Sequence, residues 1–167
     1  QDLFPLLRSF PRARLRIAGA GDYEGELRRL AAGMANVEFL GQVHPSRVRE
    51  LYAGAVAVLV PSLCYEVFPL APVEAMANGV PVIARRIGAL TEVIEQSAGG
   101  LLFDSPAQCR AAMERLLESP ALGATLGTNG RRAALADWTE DVHIARYLDL
   151  IESHRTRRRA ARITPDG

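Results

Sequence analysis

Residues 55–84 read AVAVLVPSLCYEVFPLAPVEAMANGVPVIA. The opening run, AVAVLVP, is continuously apolar and of strand length, the pattern of a strand covered on both faces. VPVIAR, residues 80–85, is a second such run. Between them APVEAMANG reads as a short helix. Pro72 falls in its first turn, where a missing N–H costs little, and Gly79 stands just past its end. Two carboxylates, Glu66 and Glu74, interrupt this apolar stretch, and a buried carboxylate is costly unless something hydrogen-bonds to it.

Their positions suggest what that partner is. Glu66 follows a strand and so lies in a carboxyl-end loop; Glu74 is expected one turn or less into the next helix. In sheets of this kind ligands bind at the carboxyl ends of the strands. The helix start adds unpaired amides and about half a positive charge, which attract phosphate. An ionised carboxylate accepts hydroxyl donors, and a vicinal diol offers two. The crevice therefore suits a ligand that carries both hydroxyls and phosphates.

The same alternation extends in both directions. ARLRIAG reads as a strand closed by Gly19 and Gly21, EGELRRLAAGM as a helix stopped at Gly33, and NVEFLG as a strand ending at Gly41. PSRVRELYAGA, with Pro at its start, is a helix. LTEVIEQ is another, and GGLLF a last strand. Helices fill the remainder: SPAQCRAAMERLLES, capped by Asp104 or Ser105, then PALGATLGTNGRRAALAD and TEDVHIARYLDLIESH. Strands alternating with helices give an α/β fold, a parallel sheet with helices on both faces. GAGDYEG is one residue off the dinucleotide-binding pattern and reads as a strand-to-helix turn.

Composition narrows the function classes. The 167 residues carry a formal charge of +1, so no bulk field favours nucleic acid. Every basic side chain is Arg, and five of them, Arg155, Arg157, Arg158, Arg159 and Arg162, crowd into the last stretch. Residues 1–154 are expected to form the domain. Residues 155–167 are expected to form a disordered basic tail, with peripheral contact to an anionic membrane as a further expectation. Cys64 and Cys109 lack metal-ligand spacing, Cys64 reading as a small core residue; a reducing cytosol fits them. No run is long enough to span a bilayer. His44 reads as a surface residue before a helix, His143 and His154 as helix-surface residues, and Trp138 as a packing anchor. No metal site is expected. The chain opens with Gln in mid-helix character, which suggests a piece of something longer.

PSLCYEVFPLAPVEAMANGVPVIARRIGALTEVI closely resembles the motif region of the family 4 (group 1) glycosyltransferases, retaining enzymes of GT-B fold. That family reads Pro-Ser, then Glu-Gly-Phe-Gly-Leu, then Glu-Ala-Met-Ala-x-Gly-x-Pro-Val-Ile-Ala, with the same gap between the glutamates. VEFLGQVHPSRVRELYAGAVAVLVPS, LRIAGAGDYEGELRRLA and DWTEDVHIARYLDLI extend the likeness over nearly the whole chain to His154. It implies the Rossmann-like, carboxyl-terminal half of a GT-B enzyme. The donor is a nucleoside-diphosphate sugar and no cofactor is needed. Glu66 would accept hydroxyls of the donor sugar and is the catalytic candidate; Glu74 would accept the ribose diol. Leu70 and Ala71 would offer amides to the diphosphate, and Phe68 joins them at the motif's phenylalanine. Gly19 and Gly21 would let a loop pass close to the nucleotide. Gln42 and Val43, in the turn after Gly41, would line the base. The acceptor, a glycan, lipid or small molecule, would bind through an amino-terminal domain expected to precede this chain, together with a first strand. The enzyme would work in the cytoplasm, at the inner membrane face where the acceptor is a lipid.

Departures from the motif concentrate beside Glu66. Val67 and Pro69 replace its glycines, and proline offers no N–H. Ala89 replaces a glycine after Gly88, and Arg85 and Arg86 stand where small residues are common. The family's Arg and Lys that neutralise the diphosphate would precede Gln1, so this chain alone is expected to bind weakly and transfer nothing. Asp-x-Asp does not occur, in keeping with a metal-independent mechanism. Two alternatives stay open: a nucleotide-sugar epimerase of the same fold, and a non-catalytic α/β interaction module.

Overall fold

The alternation of apolar runs and amphipathic segments becomes five strands and eight helices in the computed structural model, which describes residues 3–163. In chain order these are α1 (Leu3–Leu7), β1 (Leu15–Ala18), α2 (Glu24–Leu30), β2 (Val37–Gly41), α3 (Pro45–Ala53) and β3 (Val58–Val60). Then follow α4 (Leu70–Ala77), β4 (Val82–Arg85), α5 (Gly88–Ser97), β5 (Gly100–Phe103), α6 (Pro106–Glu118), α7 (Pro120–Asp137) and α8 (Glu140–Ile163). Every strand pair is parallel. The strands form two ladders rather than one sheet, β1-β2 and β3-β4-β5.

Strand β4 lies at the centre of the second ladder, and its residues divide between two apolar clusters. Val82 and Ala84 face one, with Val73 and Met76 of α4 and Leu90, Val93 and Ile94 of α5. Ile83 faces the other, with Phe4 and Leu7 of α1 and Cys109, Met113 and Leu116 of α6. Period-two side-chain alternation thus feeds helices on both faces. Leu15, Ile17, Val37 and Phe39 pack against the second cluster, so the β1-β2 ladder shares that core although no strand pairing joins it to β3.

Close packing of α7 makes small residues necessary there. A Cβ added at Gly127 would collide with the carbonyl oxygen of Gly79, and one at Gly130 would lie 2.9 Å from Cγ of Met76. These two glycines bring α7 against the carboxyl end of α4. Caps fall where side chains allow: Ser105 accepts from Gln108 N–H at 3.3 Å, making it rather than Asp104 the cap of α6.

Three expectations are corrected. Only Val58–Val60 of the run 55–61 joins a ladder, because Ala55 N–H turns back to the Tyr52 carbonyl at 2.9 Å. Cys64 is exposed, since β3 ends four residues earlier and leaves it in the loop. The backbone of residues 155–163 continues α8, where a disordered tail was expected; Arg and Ala are strong helix formers, and propensity prevails over polarity. Residues 164–167 of that tail lie outside the described residues. Among the described residues no helix is long and apolar enough to cross a membrane.

Candidate functional site

The loop from Pro61 to Pro69 joins the carboxyl end of β3 to the start of α4, and its chemistry begins with that helix start. A helix leaves its first four N–H groups unpaired. Here two of the four positions are prolines, Pro69 at the N-cap and Pro72 in the first turn, and neither has an N–H. Leu70 and Ala71 remain, both exposed, and no side chain caps them. These are the two residues that the family resemblance implies for the diphosphate.

The two glutamates flank this pair. Because α4 begins at Leu70, Glu74 lies in the helix's second turn and not within its first, as Pro72 had suggested. It is exposed, and the Tyr52 hydroxyl, from α3, donates to its Oε2 at 3.4 Å. The Tyr52 phenol is pushed up to about 12, first by burial and then by the Glu74 charge and this hydrogen bond. Glu66 is half-buried, and the Ser62 hydroxyl donates to its Oε1 at 2.6 Å. Its neighbours Leu63, Cys64, Tyr65, Val67 and Phe68 are all exposed, so between Leu63 and Phe68 Glu66 alone turns inward.

The remaining candidates fall at the carboxyl ends of their own strands. Gly19, at φ +123° a conformation suited only to glycine, donates its N–H to the Gly41 carbonyl at 2.7 Å. That bond ties the Gly19–Gly21 turn after β1 to Gln42 and Val43 after β2. Phe68 meets Trp138 edge to face, ring centroids 6.5 Å apart, so the motif's phenylalanine leans on the junction between α7 and α8. Tyr65 rests on Gly88, where a Cβ would lie 2.9 Å from its ring. His44 is exposed and caps α3, accepting from Ser46 N–H at 3.4 Å.

The arginines at the departures from the motif divide. Arg86 pairs with Glu95 at 2.8 Å and Asp104 at 3.5 Å, away from the loop. Arg85 donates to the Pro61 carbonyl at 3.5 Å, its guanidinium 5.1 Å above the Phe103 ring, and so abuts the start of the glutamate loop. Among the described residues, no three of His, Cys, Asp and Glu cluster as metal ligands would. A surface hollow lined by Leu7, Pro11, Met34 and Asn36 lies at the opposite, amino ends of β1 and β2. Asn36 there donates to the carbonyls of Leu7, Phe10 and Ala13, which is a structural clasp.

Sequence reasoning missed Ser62 and Tyr52. Ser62, four residues before Glu66, could have been found from the loop itself. Tyr52 stands 22 residues before Glu74 and carries no local signal.

Comparison with known proteins decides the family. The family model described as "Glycosyl transferases group 1" matches residues 1–119. The chain belongs to the group 1 glycosyl transferases. A GDP-mannose-dependent monoacylated alpha-(1-6)-phosphatidylinositol monomannoside mannosyltransferase of Corynebacterium glutamicum is 31% identical over 151 residues, covering 86% of this chain and 40% of that protein. A D-inositol 3-phosphate glycosyltransferase of Acidothermus cellulolyticus is 37% identical over 138 residues, 78% of this chain and 30% of its own. This group 1 chain thus spans less than half the length of either relative. Among solved structures, sucrose-phosphate synthase from Thermosynechococcus elongatus superposes with TM-score 0.77 at 29% identity, over 95% of this chain and 42% of that one. The Anabaena protein HepE, solved in complex with UDP-glucose, gives TM-score 0.81 at 23% identity, over 91% and 44%, and shares the fold. The α/β architecture is that of GT-B glycosyltransferases.

Proposed function

We propose that this chain is the donor-binding half of a retaining, metal-independent glycosyltransferase, which takes a sugar from a nucleoside diphosphate. The observation that carries the reading is the α4 start, two uncapped amides at Leu70 and Ala71 with a carboxylate on either side. Those amides and the helix dipole meet the negative charge of the diphosphate as the leaving group departs. Glu74 takes the ribose diol and Glu66 the sugar hydroxyls, each bond charge-assisted. The Gly19–Gly21 and Gln42–Val43 turns line the nucleotide, and Phe68 braces the loop through Trp138. The acceptor belongs to a further domain, so this chain alone binds donor weakly and transfers nothing. The enzyme acts in the cytoplasm, and where its acceptor is a lipid it works at the inner membrane face.

Thermal shift with UDP, GDP and ADP, each alone and as its sugar conjugate, tests the reading. At least one nucleotide should stabilise the chain. Glu74→Ala should weaken binding of nucleotide and conjugate about tenfold, the loss of one hydrogen bond to a charge. Glu66→Ala should affect conjugates only. No stabilisation at millimolar ligand would favour a non-catalytic module, to which Val67 and Pro69 are compatible departures.

A further inference from the structure

Within the proposed donor site, on which this inference rests, the two carboxylates are held differently. Glu74 extends from a helix, whose backbone sets its position, and its Tyr52 bond is long at 3.4 Å. Glu66 extends from an irregular loop, and Tyr65 and Val67 on either side of it face solvent. Such a side chain samples several rotamers unless something holds it, and each ordered rotamer costs entropy on binding. The Ser62 hydroxyl supplies a hold, at 2.6 Å, within the range of charge-assisted O–H···O bonds.

We propose that Ser62 is a positioning residue for donor-sugar recognition: it occupies Oε1 of Glu66 and leaves Oε2 to accept a sugar hydroxyl. A carboxylate has two oxygens and about four lone-pair sites, so engaging one oxygen leaves capacity for the ligand. Ser62 directly follows Pro61, whose carbonyl receives Arg85. The segment before Glu66 is therefore anchored to β4 as well as to β3, and the hydroxyl is delivered from a fixed base. Ser62 touches the carboxylate and not the ligand. Its contribution appears in the preference for sugar-bearing over sugar-free nucleotides.

The test is the binding ratio of conjugate to free nucleotide, measured calorimetrically for UDP-glucose against UDP and for GDP-mannose against GDP. Ser62→Ala should cut that ratio about tenfold while leaving free-nucleotide binding within twofold, and Ser62→Thr, which keeps the hydroxyl, should restore it. In a Glu66→Ala background the same substitution should change nothing further. An unchanged ratio in Ser62→Ala would overturn the assignment, as would equal losses for both ligand types or additivity with Glu66→Ala. A parent chain that binds neither nucleotide nor conjugate would overturn the donor-site reading and this one with it.

Discussion

The two ladders of this molecule are built from similar strands and end up in different environments. In β3-β4-β5 the central strand is sealed, with Val82, Ile83 and Ala84 at 0%, 1% and 0% exposure. In β1-β2 no residue of either strand is buried, and Leu15, Ile17, Val37 and Phe39 are only half-buried. The difference lies in cover. Helices α4 and α5 close one face of the triplet and α6 the other, whereas β1-β2 has α2, with no buried residue, and an edge that pairs with nothing described. The glutamates thus hang from the well-packed half, and the Gly19 and Gln42 turns from the looser one. A division of this kind holds the two carboxylates firmly while the Gly19 and Gln42 turns keep freedom to adjust.

The sharpest test of that contrast is Met76→Ala. Met76 is fully buried between α4 and α7, and its truncation should cost about 2–5 kcal/mol, read from the urea midpoint at constant slope. The corresponding cut in the open half, Ile17→Ala, should cost about half as much, since Ile17 already meets solvent. Equal losses would erase the distinction between the ladders. Hydrogen exchange gives the same comparison without mutation: amides of β4 should open only with global unfolding, and those of β1 and β2 well before it.

A smaller effect probes the link between α3 and the site. Tyr52 is neutral when protonated and its pKa is raised to about 12. Its contribution to stability is therefore full below the ordinary value near 10 and is lost as pH rises through about 12. Ultraviolet difference titration should find Tyr52, identified by comparison with Tyr52→Phe, ionising at about 12, and Glu74→Gln should move it only part of the way back, because burial is the larger cause. A Tyr52 midpoint at the ordinary value near 10 would show that it is not held as described. The smallest effect belongs to Arg16→Ala. Its cross-strand partner Glu38 lies 3.3 Å away with both side chains about half-exposed, and such pairs contribute about 0–1 kcal/mol.

How much of this could be read beforehand depends on how local each feature is. The strand, helix and strand of residues 55–84 were legible because apolar periodicity, Pro72 and Gly79 act within a few residues. Cys64 misled because an apolar run says nothing about where a ladder stops, and here the turn at Ala55 and the loop after Val60 shorten it from both sides. The basic tail misled for the opposite reason: charge argued for disorder where helix propensity governs the backbone.

The site divides along the same line. By itself the sequence determined that two carboxylates border a short helix with Pro72 in its first turn and that glycines close the strands, for which spacing along the chain suffices. Leu70 and Ala71 followed from the family resemblance, and the structure placed the helix start that exposes their amides. Only the tertiary structure decided that Ser62 holds Glu66, that Tyr52 reaches Glu74 from another helix, and that the strands divide into a sealed ladder and an open one. Those outcomes rest on contacts between segments far apart in the chain or on side-chain direction in an irregular loop, and neither follows from periodicity.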